Sequence, residues 1–493
     1  MHLIFQKCIL PPKVLKIENE SHIIATVHLR KVIYMGLLFL ILFVVLEVAL
    51  VVLTLTKWNE KSKFLRNRAV VTAFEFLLLL LMVVLPITYM KWRFAMALGV
   101  LVVRFVLSGI SFLVKGKKVQ GDVKKPARIV CCVLAVMLMA FSLVPSFMFS
   151  NYNGLEVTGE YEINECSAIL VDNNRFDEFE NDGSNREVPV HFYYPDAEGE
   201  FPLVIFSHGA FGYYQSNFST YAELASNGYV VVALDHPHHA FFTTDTSGNT
   251  IIVDMKFFED AMNLGNPEYK NADETIKTIK GWMEVRTNDE NFVVDTIKQA
   301  KDMNSLSSVW VTDKSEEILS VISMTDTDKI GLIGHSMGGA TAVALGRERD
   351  DIDAVIDLDG SMLSEIESID GGEFVYTDEP YPVPVLDYRK EGDYNEMEQM
   401  RIDGISKDDF MYYIAYVNNY VIGNAKNGKT VVFKNAGHMD FTDLPMFSPF
   451  LGSMLGSETD DCEEFMYTVN GIVLNWFDYY LKGEGSLNIK ATY

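Results

Sequence analysis

Apolar positions are laid out in two different ways along this chain. Over the first 150 residues they run almost unbroken through four stretches, about 34–55, 70–90, 94–114 and 129–149. An α-helix needs roughly 20 apolar residues to cross a bilayer, so the pattern predicts a bundle of four transmembrane helices over 34–150. None of the four reads as a cleavable leader, because the first begins after more than thirty residues and is of full membrane length. From residue 151 the apolar runs shorten, to 187–194, 202–207, 228–235, 329–334, 354–359, 383–388 and 430–434. Short strands alternating with helical patterns predict an α/β domain with a mostly parallel sheet over 151–493. The gap from His236 to Lys329 is too long for a structureless loop. Its second half, Ala272 to Asn304, reads as a helix with Val293, Val294, Ile297 and Ala300 on a core stripe and Arg286, Asp289 and Asp295 on a solvated face. Its first half mixes Phe257, Phe258 and Met262 with acidic residues, and a cap over a site is expected at about 240–275.

Candidate chemistry sits at the ends of those strands. The run from Lys329 delivers Ser336 into a Gly-x-Ser-x-Gly turn bounded by Gly334 and Gly338 and followed by small, helix-compatible residues. Such a strand-to-helix turn is so tight that the flanking positions must lack side chains, and Gly339 lets the helix pack closely on the sheet. The helix N-terminus behind Ser336 favours the negative charge that develops in acyl transfer. A second strand, Phe201 to Phe206, ends in His208-Gly209, where a hydrolase of this type places its other oxyanion donor. The backbone N–H groups of Ala210 and Met337 are therefore the candidate oxyanion hole. A third strand, from Thr430, runs into Gly437-His438, making His438 the candidate general base. Two aspartates at strand ends, Asp359 and Asp393, lie between Ser336 and His438, and either is able to accept from His438 Nδ1–H. The order Ser, acid, His is that of the α/β-hydrolase fold.

Several ordered segments carry a family resemblance: His191-Phe-Tyr-Tyr-Pro195, Phe206-Ser-His-Gly209, Leu224 to His236, Gly334 to Ala340, Leu358-Asp-Gly360 and Gly437-His438. With these, the chain from about Glu187 onward resembles the plasma-type platelet-activating-factor acetylhydrolases and their bacterial relatives, with dienelactone and polyester hydrolases as more distant cousins. The resemblance implies an α/β-hydrolase fold, a Ser336-Asp359-His438 triad and an acyl-enzyme route without a cofactor. In that family the acid lies soon after the nucleophile in a Leu-Asp-small segment, which points to Asp359. Gly392-Asp393 instead resembles the acid loop of dienelactone hydrolases and keeps Asp393 as the alternative. It also implies short or oxidised acyl chains on glycerophospholipids as substrate. The other readings are a general carboxylesterase and a silent membrane sensor that binds an acylated ligand.

Charge changes the picture by splitting the chain. Residues 1–150 hold 19 Lys+Arg against 6 Asp+Glu, a net of +13, and residues 151–493 hold 22 against 61, a net of −39. So acidic a domain repels nucleic acid, and no phosphate loop or dinucleotide fingerprint is present. The basic connectors Lys57–Arg68 and Lys115–Arg128 are expected to face the cytoplasm, which puts the α/β domain outside the cell membrane. The leader over 1–33 conflicts with this, since Lys7, Lys13, Lys16, Arg30 and Lys31 would then lie outside; translation from Met35 removes the conflict. Glu47, Glu75 and Arg104 fall within apolar runs and read as an internal ion pair. Cys166 and Cys462, near the two ends of the α/β domain, are either a disulfide or separate thiols. His236, His238 and His239 read as a pocket wall rather than a metal site, and His208 and His335 as packing or hydrogen-bonding residues.

Overall fold

The computed structural model describes residues 22–56, 60–86, 88–115, 119–264, 270, 272–370, 373–392 and 410–493. Asp393 and most of the leader lie outside the described residues. The chain divides into two compact units, one reaching to Gly154 and including Pro445–Ser453, the other made of Leu155–Leu444 and Met454–Tyr493.

The first unit contains helices α1 (His22–Thr56), α2 (Lys61–Val84), α3 (Ala95–Lys115) and α4 (Lys125–Ser142). The segments Gly36–Thr56, Lys61–Val84, Lys91–Lys115 and Lys125–Ser142 are long and apolar enough to cross a membrane. Two boundaries differ from the hydropathy pattern. Helix α2 starts at Lys61, so most of the first basic connector is helical, which fits the good helix propensity of Lys and Arg. Helix α4 stops at Ser142, just before a short Pro145-containing turn of helix over Val144–Met148. Phe39, Phe43, Leu79, Phe94, Leu101 and Met139 fill the core, while Leu77, Leu113 and Phe141 point outward. The buried charges meet one another: Arg104 bonds Glu47 and lies 3.5 Å from Glu75, and Arg128 lies 3.5 Å from Glu47. The rings of Phe43 and Phe64 lie under the guanidinium groups of Arg104 and Arg128. Within this unit Ser150 N–H donates to the Phe447 carbonyl and Ser448 Oγ to that of Met148.

The second unit is built on a nine-stranded sheet. Its strands are β1 (Ile163–Phe176), β2 (Asn185–Pro195), β3 (Phe201–Ser207), β4 (Val230–Leu234), β7 (Trp310–Val311), β8 (Thr325–His335), β9 (Ala354–Leu358), β12 (Val385–Lys390) and β13 (Gly428–Phe433). Their spatial order is β13-β12-β9-β8-β3-β4-β2-β1-β7. The block from β13 to β4 is parallel, and β2, β1 and β7 add an antiparallel edge. This is the α/β-hydrolase arrangement, and β3, β4, β8 and β9 have the continuous apolar runs of strands buried on both faces. Strand β1 is an addition to the pattern read above. Its period-2 signal is present, with Cys166, Ala168 and Leu170 buried between more exposed neighbours, but polar residues dilute it. Outside the sheet lie helices α5 (Phe218–Ser226) and α8 (Ser315–Met324), the antiparallel pair β10 (Ile366–Asp370) and β11 (Glu373–Tyr376), and, over residues 242–262, a small hairpin, β5 (Phe242–Thr244) with β6 (Thr250–Ile252), and helix α6 (Met255–Met262). Cys166 and Cys462 are both free thiols.

Helix α7 (Ala272–Met303) occupies the span expected for it, with Val293, Val294, Ile297 and Ala300 in the core. Its charged face departs from expectation. Arg286, Asp289 and Glu290 are fully buried rather than solvated. Burial is tolerated because partners arrive from elsewhere in the fold: Asp289 accepts from Arg186 of β2 at 2.8 and 3.1 Å, from Arg175 of β1 and from His236 at 3.0 Å.

Candidate active site

Four strands of the parallel block end on one side of the sheet, and the candidate residues follow those ends. Ser336 comes directly after β8 and caps helix α9 (Met337–Glu348) in a positive-φ conformation, φ 55° and ψ −122°. A non-glycine residue adopts such a backbone only under strain, which the surroundings enforce. A Cβ at Gly334 would sit 2.2 Å from the Gly338 carbonyl carbon, and one at Gly338 would sit 1.9 Å from Ser207 O. Both positions therefore have to be glycine for the turn to close. The Ser336 N–H donates to the Leu358 carbonyl at 2.9 Å, tying the turn to the end of β9.

Asp359 follows β9, again at positive φ, 53°. Its Oδ2 accepts from His438 Nδ1 at 2.7 Å, and its Oδ1 from the Lys390 N–H at 3.3 Å. Asp359 is nearly buried while His438 is 36 % exposed, so the ring is anchored at Nδ1 with its other edge open. Behind the His438 loop, His335 Nε2 donates to the His438 carbonyl at 3.0 Å, and the two rings lie 4.6 Å apart. Burial pulls His335 down to about 3, leaving it a neutral support for the loop.

Beneath Asp359 lies a buried polar group that sequence reading missed. Asp357 accepts from the Gly360 N–H at 2.9 Å, and Asn418 Nδ2 donates to the Gly360 carbonyl at 2.8 Å and to Asp387 at 2.9 Å. Burial raises the carboxyls of both Asp357 and Asp387, and Asp387 raises Asp357 further. The local signal for Asp357 is that it is the one charged residue in the otherwise apolar run of β9, two residues before Asp359. Nothing local marks Asn418, which sits on helix α10 (Phe410–Asn424).

The His208-Gly209-Ala210 loop passes directly over Ser336: a Cβ at Gly209 would lie 3.2 Å from Ser336 Cβ. It is secured from within. His236 N–H donates to His208 Nε2 at 3.1 Å, which fixes His208 as the tautomer that donates from Nδ1 to the Gly209 carbonyl at 2.7 Å. Arg286 Nη1 donates to the His208 carbonyl at 2.6 Å. His236 bridges Ser207 Oγ, at 2.8 Å, and Asp289. Burial lowers His208 to about 3 and His236 to about 4, so both act as neutral hydrogen-bonding groups. His238 instead lies 3.4 Å from Glu180 and stacks on Phe179. Next to the loop, Phe211 packs on Phe257 and Phe258 of α6.

Ser336, Asp359, His438, Ala210 and Met337 thus all lie in the second unit, at strand ends or directly after them. Among the described residues no group of His, Cys, Asp and Glu is arranged to hold a metal ion.

Comparison with known proteins adds the following. The profile of the family described as "Platelet-activating factor acetylhydrolase, isoform II" matches residues 185–480. Platelet-activating factor acetylhydrolase of Bos taurus is 28 % identical over 204 residues, covering 37 % of this chain and 39 % of its own. That of Cavia porcellus is 25 % identical over 304 residues, covering 60 % and 61 %. The chain therefore spans between about two fifths and three fifths of these relatives. A ferulic acid esterase from Streptomyces cinnamoneus superposes with a TM-score of 0.48 at 20 % identity, over 68 % of this chain and 94 % of that one.

Proposed function

Because the chain belongs to the platelet-activating factor acetylhydrolase isoform II family, we propose that it is a serine esterase anchored in a membrane. Ser336 Oγ attacks an ester carbonyl while His438 Nε2 removes its proton, and Asp359 stabilises the imidazolium that results. The tetrahedral oxyanion is held by the N–H groups of Ala210 and Met337, the second of which opens helix α9. Collapse expels the alcohol, which takes the proton from His438. Water, deprotonated by the same histidine, then releases the acid from Ser336.

The observation that carries this reading is the 2.7 Å bond from His438 Nδ1 to Asp359 beside a serine held in a strained turn. The same bond favours Asp359 over Asp393 as the acid. Membership of the family supports short or oxidised acyl chains on glycerophospholipids as the substrate class. The four apolar helices hold the esterase at the bilayer, with the catalytic unit outside the cytoplasm, and the segment 240–275, of which 265–269 and 271 lie outside the described residues, acts as a cap.

The test is fluorophosphonate labelling of detergent-solubilised protein, with hydrolysis of nitrophenyl esters of increasing acyl length. Labelling and turnover that vanish in Ser336→Ala, with rates highest at two to four acyl carbons, are expected. A maximum at long chains would make it a lipase. Folded protein that neither labels nor turns over would favour a sensor that binds an acylated ligand.

A further inference from the structure

Arg286 is a fully buried cation that the triad mechanism does not use. Among the described residues it pairs with no carboxylate: Asp289 is occupied by Arg186, Arg175 and His236, and both oxygens of Glu290 lack a hydrogen-bond partner. Its donors go instead to the oxyanion loop. Nη1 reaches the His208 carbonyl at 2.6 Å, Nη2 the Gly209 carbonyl at 3.4 Å, and Nε the His239 Nδ1 at 3.4 Å. The His239 carbonyl in turn accepts from the Phe211 N–H at 3.0 Å, so the far side of the loop is held as well. Burying a guanidinium against carbonyls rather than carboxylates is costly, and its arrangement answers to one geometric need.

That need lies in the peptide that follows Gly209. The C=O of Gly209 and the N–H of Ala210 belong to one planar trans unit and point in opposite directions. We propose that Arg286 is the positioning residue of the oxyanion hole: by holding the His208 and Gly209 carbonyls toward the interior, it turns the Ala210 N–H outward over Ser336. This role rests on the esterase reading above. The Gly209 carbonyl also accepts from His208 Nδ1 at 2.7 Å and from the Gly212 N–H at 3.1 Å, but both bonds come from the loop itself, whereas the planar fork of the arginine ties two successive carbonyls to a residue of α7. Lysine, whose three donors sit on one freely rotating nitrogen, lacks the fixed fork that holds both carbonyls in one geometry.

The experiment compares wild type, Arg286→Met and Arg286→Lys in the full chain on a short-chain nitrophenyl ester. Rates are referred to sites titrated by fluorophosphonate, so that unfolded protein does not count. Per titrated site, kcat is expected to fall about 100-fold in Arg286→Met and about 10-fold in Arg286→Lys, with KM within about twofold. Affinity for a trifluoromethyl ketone, which forms the tetrahedral anion on the serine, should fall in step with kcat/KM. If Arg286→Met does not fold, Arg286→Lys carries the same test by the same two readouts. Fewer titrated sites with wild-type kcat per site would make Arg286 a merely structural residue and overturn the proposal. A parallel rise in KM with unchanged kcat would overturn it too. Wild-type protein without Ser336-dependent turnover would instead sink the esterase reading, and this role with it.

Discussion

His438 depends on one carboxylate for its orientation, since Asp359 Oδ2 is the acceptor at Nδ1. Asp359→Asn is expected to reverse the hydrogen-bond polarity and present the wrong imidazole tautomer to Ser336. Turnover should fall by about three to four orders of magnitude with the fold intact, measured on short-chain esters beside a thermal melt. Survival of turnover, with Asp393→Asn abolishing it, would move the acid to the next strand. Glu290 gives a second prediction at this scale. Burial holds its proton in the folded chain up to about 8, against 4.5 as the ordinary value. Between those two pH values the native state binds more protons than the unfolded one, so stability falls as pH rises through the window. Glu290→Gln should raise the melting temperature at neutral pH and flatten that slope. An unchanged slope would show that Glu290 is not its source.

At the scale of elements, the same residue type has opposite effects in two helices. Helix α9 lies so close on the sheet that a Cβ at Gly338 would meet Ser207 O at 1.9 Å. Gly338→Ala should destabilise by about 3 kcal/mol or more, because backbone rather than a yielding side chain is in the way. Gly281 lies on the exposed side of α7, where an added Cβ meets nothing within 4 Å. Gly281→Ala should therefore stabilise by about 0.5–1 kcal/mol. Urea midpoints of the two variants against wild type check both signs.

At the scale of the whole molecule, the first unit encloses its charges. Arg104 serves Glu47 and Glu75 together, so Arg104→Met leaves two buried carboxylates with less compensation and should cost about 3–5 kcal/mol. Adding Glu47→Gln and Glu75→Gln should recover much of that loss, read from thermal unfolding in detergent. Orientation is tested by single cysteines placed in a cysteine-free background at the exposed positions Asp182 and Asp122. An impermeant maleimide should label the first in intact cells and the second only after permeabilisation. The reverse pattern would put the α/β unit in the cytoplasm.

Hydrophobic patterning by itself determined the division into four long apolar helices and an α/β sheet, because strand and helix periods and membrane length are local properties. It also marked Ser336, His438 and the His208-Gly209 loop, since a strand-to-helix turn this tight admits few residues and leaves a readable string of glycines. Strand β1 was legible in its alternation, but polar residues diluted it. What the sequence left open, tertiary structure decided. That Asp359 meets His438 depends on where β9 ends relative to β13, two places away in the sheet, and the distance from residue 359 to residue 438 is not written in either segment. Arg286 and Asp289 looked like a solvated helix face because period alone cannot distinguish water from buried partners. Only the packing of α7 against β2, His236 and the His208-Gly209 loop supplies the carbonyls, arginines and histidine that let those charges be buried.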